Sequence, residues 1–505
     1  MKSLKATALA AGLWASGAAA LHLIERDTPK VISLDIAKRH IPHPAKRDAL
    51  RRRQSQTVTE TLDNYETLYI ANISIGTPAQ NFALHIDTGS SDLWVNAPNS
   101  EICTARGDLC SLSGTYDANS SSTYKYVNGL FNVSYVDNSG ADGDYATDTV
   151  SIGGKSVTDL QFGIGYDSNS PEGILGVGYT ADEAQADTAR QKSYPNLPQA
   201  MADGGLIQSN AYSLWLNDLD ANTGSILFGG VDTAKYTGSL QSVPIEKEFD
   251  QYAEFLITLT DMGLTDGTTS QNLTTDLPTA VILDSGSSLT YLPNDLTSAI
   301  YSALKVQYDP AQKVGYCSCS LANENITIDF TFTSPTISVA IDELVLDTSQ
   351  DTDEDREDPN DEDDDSGDDD NSGDGEGSLD CVFGIAPALG DTPVLGDSFL
   401  RSAYVVYDLA NNEISLAQTD FNATDSNIKE IGTGTTSVPD ATPVSNAVQA
   451  AVSQTGGARI AVSGTGGSSP FPTTTSTVRS GAVSRSVSYG GLALTAVLVA
   501  AFAYA

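Results

Sequence analysis

The residues best suited to chemistry are two aspartates. Each ends a short apolar run, and each is followed by a small hydroxyl residue and a glycine. The segments read Leu84-His85-Ile86-Asp87-Thr88-Gly89-Ser90-Ser91 and Val281-Ile282-Leu283-Asp284-Ser285-Gly286-Ser287-Ser288. A buried strand that ends this way delivers one carboxylate to a tight turn, where glycine allows close backbone approach. One such tripeptide is an ordinary turn. A duplicate in the same setting places two carboxylates about a pseudo-twofold axis. Like charges held that close cannot both ionise, so they share a proton, one acting as base and the other as acid. Such a pair takes a proton from a water as it attacks a carbonyl and donates a proton to the carbonyl oxygen. That chemistry calls for no metal, no cofactor and no covalent intermediate.

The elements that hold these aspartates repeat as well. Glu172-Gly173-Ile174-Leu175-Gly176-Val177-Gly178 follows the first, and Pro393-Val394-Leu395-Gly396-Asp397-Ser398-Phe399 follows the second. Both are apolar strands with glycine where two backbones would meet behind the turn. An Asp-hydroxyl-Gly turn followed by an apolar-apolar-Gly strand, twice over, is an internal repeat of domain size. Tyr69–Ile75, Ala211–Leu216, Ser225–Gly229 and Tyr404–Asp408 alternate or bury as strands do, and few segments have the period of a long helix.

These residues resemble the pepsin-type aspartic proteases, and in particular the yapsin group of fungal surface proteases. The likeness also runs through Ile75-Gly76-Thr77-Pro78-Ala79-Gln80, Gly224-Ser225-Ile226-Leu227-Phe228-Gly229-Gly230-Val231-Asp232 and Gly396-Asp397-Ser398-Phe399-Leu400-Arg401. It spans nearly the whole presumed mature enzyme, from about 65 to about 420. It implies an all-β, bilobal, monomeric endopeptidase acting on polypeptides, with the cleft between an N-terminal lobe (54–243) and a C-terminal lobe (244–425). Ser90 and Ser287 would hydrogen-bond the outer carboxylate oxygens, and Thr88 and Ser285 would tie the two loops together. Tyr135 matches the tyrosine of the flap hairpin over the cleft, and Trp94 the indole that holds it. The flap tip reads Tyr135-Val136-Asp137-Asn138-Ser139-Gly140, where the family has Tyr-Gly-Asp-Gly. Asp137 would face the pocket for the residue before the scissile bond and accept Lys or Arg. A second class of function, a catalytically silent wall or adhesion protein keeping the fold, is opposed by the intact Asp87, Asp284, Tyr135 and Trp94.

The ends place the chain in the secretory pathway. Met1–Ala20 has a basic start, an apolar stretch and a small-residue close at Ala18-Ala19-Ala20, which reads as a signal peptide. Residues 21–53 are basic and carry Lys46-Arg47 and Arg51-Arg52-Arg53, sites for a processing protease that removes a propeptide. In resembling zymogens a basic side chain of this segment pairs with the catalytic aspartates; Lys38, Arg39 and Lys46 are candidates. At the other end, residues 426–480 form a Ser/Thr-rich segment, read as a glycosylated stalk. Ser480-Gly481-Ala482, a polar spacer and the apolar run Gly491–Ala505 make a signal for a glycosylphosphatidylinositol anchor, attached at Ser480 in preference to Gly481 with 481–505 removed; a tail anchor left in the mature protein is the competing reading. The expected location is the extracellular face of the cell membrane or wall.

Composition agrees with export. Six Asn-x-Ser/Thr sequons stand at Asn72, Asn119, Asn132, Asn272, Asn325 and Asn422. Five cysteines suit an oxidising compartment with few bridges. Cys103 and Cys110 are close enough to close a surface loop. The family pattern pairs Cys381 with a cysteine about sixty residues earlier; Cys317 and Cys319 both qualify, and Cys319, beside Ser320-Leu321, is preferred. Without well-placed histidines the cysteines make no zinc shell. The formal net charge of −40 opposes nucleic-acid binding. Sixteen acids between Asp351 and Glu376, against Arg356 alone, form a block (351–376) that cannot collapse, an excursion from the second lobe. Its Asp351, Asp353 and Asp355 are spaced like a calcium loop, but Arg356 stands where glycine is needed.

Overall fold

The computed structural model describes residues 29–41, 66–105, 109–135, 139–187, 191–248, 250–267, 269–347 and 381–450. The signal peptide, both basic clusters of the propeptide, the acidic block, the chain beyond Ala450 and the anchor signal at Ser480 lie outside them.

The N-terminal half builds strands β1 (Ile32–Ile41), β2 (Glu66–Ile75), β3 (Gln80–Asp87), β4 (Leu93–Asn96), β5 (Lys125–Ser134), β6 (Gly140–Ile152), β7 (Lys155–Ser168), β8 (Ile174–Gly176), β9 (Ala211–Trp215) and β10 (Thr223–Phe228). They join strands of the second half in one fourteen-stranded sheet. Its order is Thr442–Pro443, Tyr236–Pro244, Glu413–Thr419, Ala403–Asp408, β9, β10, β1, β2, β3, β8, β4, β7, β6, β5. A sheet drawn from both halves ties the lobes together. The second lobe adds a five-stranded sheet ordered Leu256–Leu259, Thr279–Leu283, Val394–Leu395, Thr290–Leu292, Ile385–Pro387.

The internal repeat of the sequence becomes a repeat of topology. β3 pairs parallel with β8, placing Asp87 opposite Gly176, and β8 pairs antiparallel with β4. In the second lobe Thr279–Leu283 pairs parallel with Val394–Leu395, which pairs antiparallel with Thr290–Leu292. The glycines of the echo are needed for the crossing. A Cβ on Gly176 would meet the Asp92 backbone nitrogen at 2.7 Å, and one on Gly396 would strike the Ser287 and Leu289 carbonyls.

Two stretches outside the expected lobes belong to the folded body. Ile32–Ile41, inside the expected propeptide, is an interior strand of the large sheet, with Ile32, Leu34 and Ile36 buried. The stalk expected to start at 426 does not start there. Ile428–Glu430 pairs with Gly230–Asp232, Thr442–Pro443 pairs with Tyr236–Pro244, and Ile431 and Val438 pack with Trp215, Leu240 and Tyr404. The Ala450 amide ends this stretch on Thr258 Oγ1 and Glu246 Oε1, at 2.9 and 3.1 Å. Backbone pairing and the few aliphatic side chains that reach the core, Ile431, Val438, Ala441 and Val444, hold a segment otherwise rich in Ser, Thr and Gly.

Candidate active site

Each aspartate sits at the mouth of its strand and is held by its own turn. Asp87 Oδ1 accepts from the Gly89 amide at 2.8 Å and Oδ2 from Ser90 Oγ at 2.6 Å. Asp284 repeats this, with Oδ1 on the Gly286 amide and Oδ2 on Ser287 Oγ, both at 2.8 Å. Four donors in two matching pairs fix the plane of each carboxylate. The two planes face one another: a Cβ on Gly89 would collide with the Asp284 carboxylate, and one on Gly286 with that of Asp87. Glycine after the hydroxyl residue is therefore what lets the two acids approach. Both carboxylates are buried, at 3 % and 6 % exposure.

The hydroxyls between Asp and Gly lock the loops reciprocally. Ser285 N donates to Thr88 Oγ1 at 2.9 Å and Thr88 N to Ser285 Oγ at 3.2 Å. Thr88 Oγ1 donates to the Leu283 carbonyl, and Ser285 Oγ to that of Ile86, each at 3.0 Å. His85, which sequence reasoning passed over, adds a crossing: its Nε2 lies 3.1 Å from the Ser285 carbonyl oxygen.

Above the dyad the hairpin of β5 and β6 carries Tyr135. Trp94 Nε1 donates to the Tyr135 hydroxyl at 2.7 Å, as the resemblance implied. Asp137 lies outside the described residues.

Comparison with known proteins bears on the same residues. A family profile described as "Eukaryotic aspartyl protease" matches 68–355 and 370–419, a span that includes both aspartates. The chain belongs to the eukaryotic aspartyl protease family. The protease is 52 % identical over 454 residues to the "Probable aspartic-type endopeptidase opsB" of Aspergillus oryzae, covering 90 % of this chain and 89 % of the relative. It is 34 % identical to "Secreted aspartic protease 8" of Candida albicans, over 83 % of this chain and 96 % of that one. The aspartic proteinase from Irpex lacteus matches in fold, with a TM-score of 0.54 at 20 % identity, over 78 % of this chain and all of that one. The protease is an aspartic-type endopeptidase.

The flap of the protease rests on an acidic cluster that the sequence did not reveal. Phe131 packs between Trp94 and Tyr145, and Tyr145 against Tyr194. Both tyrosine hydroxyls donate to Asp92 Oδ1, Tyr194 at 2.7 Å and Tyr145 at 2.9 Å, while Oδ2 takes the Ala184 amide at 2.7 Å. Glu183, fully buried, takes the Tyr194 amide. Burial pushes the Asp92 carboxyl up, against its three hydrogen bonds, and pushes Glu183 up to about 9. Asp92 lies five residues after Asp87, so one loop carries Asp87 and anchors the aromatic stack under the flap.

The remaining candidates are placed as follows. Cys103 bonds Cys110 and Cys319 bonds Cys381, leaving Cys317 a buried thiol directly opposite Cys381. All six sequon asparagines are exposed. Lys38 stands near Arg401, Glu343, Asp218 and Asp220, and burial first, then Arg401, lowers its amine to about 8. Arg39 Nη2 donates to the Leu112 carbonyl at 3.4 Å. Lys46 lies outside the described residues.

Proposed function

We propose that this endopeptidase is made as a secreted zymogen, tethered at the cell surface through Ser480, and that it cleaves polypeptides beside Lys or Arg. The observation that carries the catalytic part is the mutual approach of Asp87 and Asp284, each with its outer oxygen held by a serine. A water between them loses a proton to the ionised member while the protonated member donates to the scissile carbonyl. The reciprocal Thr88–Ser285 lock keeps the two loops in register, so the pair enters each turnover already aligned.

The preference for basic residues rests on Asp137, two positions after the flap tyrosine, on the yapsin resemblance, and on a net charge of −40 that steers cations toward the surface. A partly desolvated carboxylate beside Lys or Arg contributes about 1–3 kcal/mol, roughly ten- to a hundredfold in discrimination. The measurement is kcat/KM on matched peptides with Lys or Leu before the cleaved bond, for wild type and Asp137→Ser. A Lys-to-Leu ratio unchanged by the mutation removes Asp137 from the pocket.

Export and tethering are supported by the signal-type start, by six exposed sequons and by the small trio, spacer and apolar run at the end. A phosphatidylinositol-specific lipase should release the protein from membranes. Mass spectrometry of the mature C-terminus should find no residue of Gly491–Ala505; an intact tail contradicts the anchor.

A further inference from the structure

The hairpin that carries the flap also bears a side-chain cluster that catalysis does not use. Among the described residues β5 is the outermost strand of the large sheet, and its pairing with β6 breaks twice, between Tyr126 and Asn128 and between Asn128 and Phe131. β7 breaks nearby, where Asp142 and Gly143 face Asp167 and Gly165 and leave Tyr166 as the extra residue. Bulges of this kind re-aim side chains out of the regular alternation. Here they expose large apolar residues: Tyr126 at 58 %, Leu130 at 45 % and Tyr166 at 38 %.

One carboxylate lies among these rings. The charge of Asp144 acts on both the Tyr166 and the Tyr124 phenols. A Cβ on Gly129, in the second bulge, would stand 3.3 Å from Asp144 Oδ1 and 3.4 Å from the Tyr126 hydroxyl, so this glycine marks where ring and acid converge. Burial, then Asp144, pushes the Tyr166 phenol up to about 12, so the ring is neutral at any working pH. Further along the same strands Asp142 faces Asp167, a like-charge pair that costs stability unless a cation stands close. Lys125, the basic residue of β5, is already engaged by Asp159.

We propose that Tyr124, Tyr126, Tyr166 and Asp144 form a second, non-catalytic binding site for an Arg or Lys side chain of a polypeptide substrate, outside the cleft. Electron-rich ring faces beside a carboxylate attract a cation that is flat or compact. A neutral sugar would stack on the same rings, but the concentration of negative charge favours the cation. The site rests on the endopeptidase reading only for its ligand being a substrate; binding is measured without turnover.

The test titrates the mature enzyme, with pepstatin in the cleft, with a fluorescent all-D hexa-arginine that cannot be cleaved. Saturable binding is expected, weakened roughly tenfold by Tyr126→Ser and by Asp144→Asn and little changed by Tyr166→Phe, which keeps the ring. kcat/KM on a short peptide that fills only the cleft should stay at the wild-type value in all three. If Asp144→Asn fails to fold, Tyr126→Ser, at an exposed position, decides the matter alone. Unchanged affinity in Tyr126→Ser means diffuse attraction by the acidic surface and overturns the site. So does displacement of the peptide by a neutral glucan oligosaccharide.

Discussion

Replacing Glu183 by glutamine should stabilise the protein at neutral pH and leave it nearly unchanged in acid. Glu183 is fully buried, its Oε2 takes the Tyr194 amide at 2.7 Å, and no described residue bonds its Oε1. Burial above all, with the Asp92 charge adding to it, lifts its carboxyl from 4.5 to about 9. The folded protein thus keeps a proton that the unfolded chain gives up. A folded pKa raised in this way contributes stability that is complete below the unfolded value and is lost as pH rises toward the folded one. From pH 4.5 to pH 7 the loss is about 2.5 units at ~1.4 kcal/mol each, less the few tenths already lost at pH 4.5 where the unfolded acid is half ionised, or roughly 3 kcal/mol. Glutamine copies the protonated acid: its carbonyl takes the Tyr194 amide and it cannot ionise. The stability gap between variant and wild type should therefore open by about 1.4 kcal/mol per pH unit above about pH 5. Glu246, pushed by burial to about 7, adds a pH-dependent loss common to both proteins and cancels in the comparison. Urea unfolding across pH 4–8, in an Asp284→Asn background that prevents self-digestion, measures the gap. Parallel profiles for the two proteins would refute the reasoning and place the titrating group elsewhere.

Asp87→Asn or Asp284→Asn should each abolish peptide cleavage while leaving the melting temperature near wild type, because an amide cannot supply the missing state of the pair; substantial turnover by either pure variant would contradict the mechanism. A chain ended after Ala450 should be secreted, stable and active. One ended before Ile428 loses the burial of Ile431 and Val438, worth roughly 3–6 kcal/mol, and should melt measurably lower; equal melting points would show that the tail adds nothing.

The geometry of the aspartate pair was legible because its contacts are local. Asp, hydroxyl and Gly are adjacent in each loop, and every donor to Asp87 or Asp284 described above lies within three residues of it. Trp94 and Tyr135 were readable through the family likeness, whereas for Cys381 the likeness left both Cys317 and Cys319 eligible, and the structure pairs it with the preferred Cys319. What escaped is held together across long separations. Asp92 meets Tyr194 102 residues later, and nothing near Asp92 in the chain distinguishes a buried anchor from a turn carboxylate. The tyrosines around Asp144 converge through bulges, which no alternation pattern records. The packed tail from Ile428 to Ala450 was hidden by averaging, because a Ser/Thr-rich composition outweighs the few apolar residues that make contact.

β1 has a consequence for what a processing cut can accomplish. An edge strand peels away one bond at a time, but β1 has six register pairs with β10 on one side and six with β2 on the other. A protease acting at Lys46-Arg47 or Arg51-Arg52-Arg53 severs the chain beyond that strand and touches none of those bonds. The product of such a cut would be a nicked complex, with Ile32–Ile41 still paired on both sides within the sheet. Withdrawing the strand without a substitute would strand two rows of amides and carbonyls in the interior of the sheet. Scission and departure are therefore separate events, and only the second requires the sheet to open.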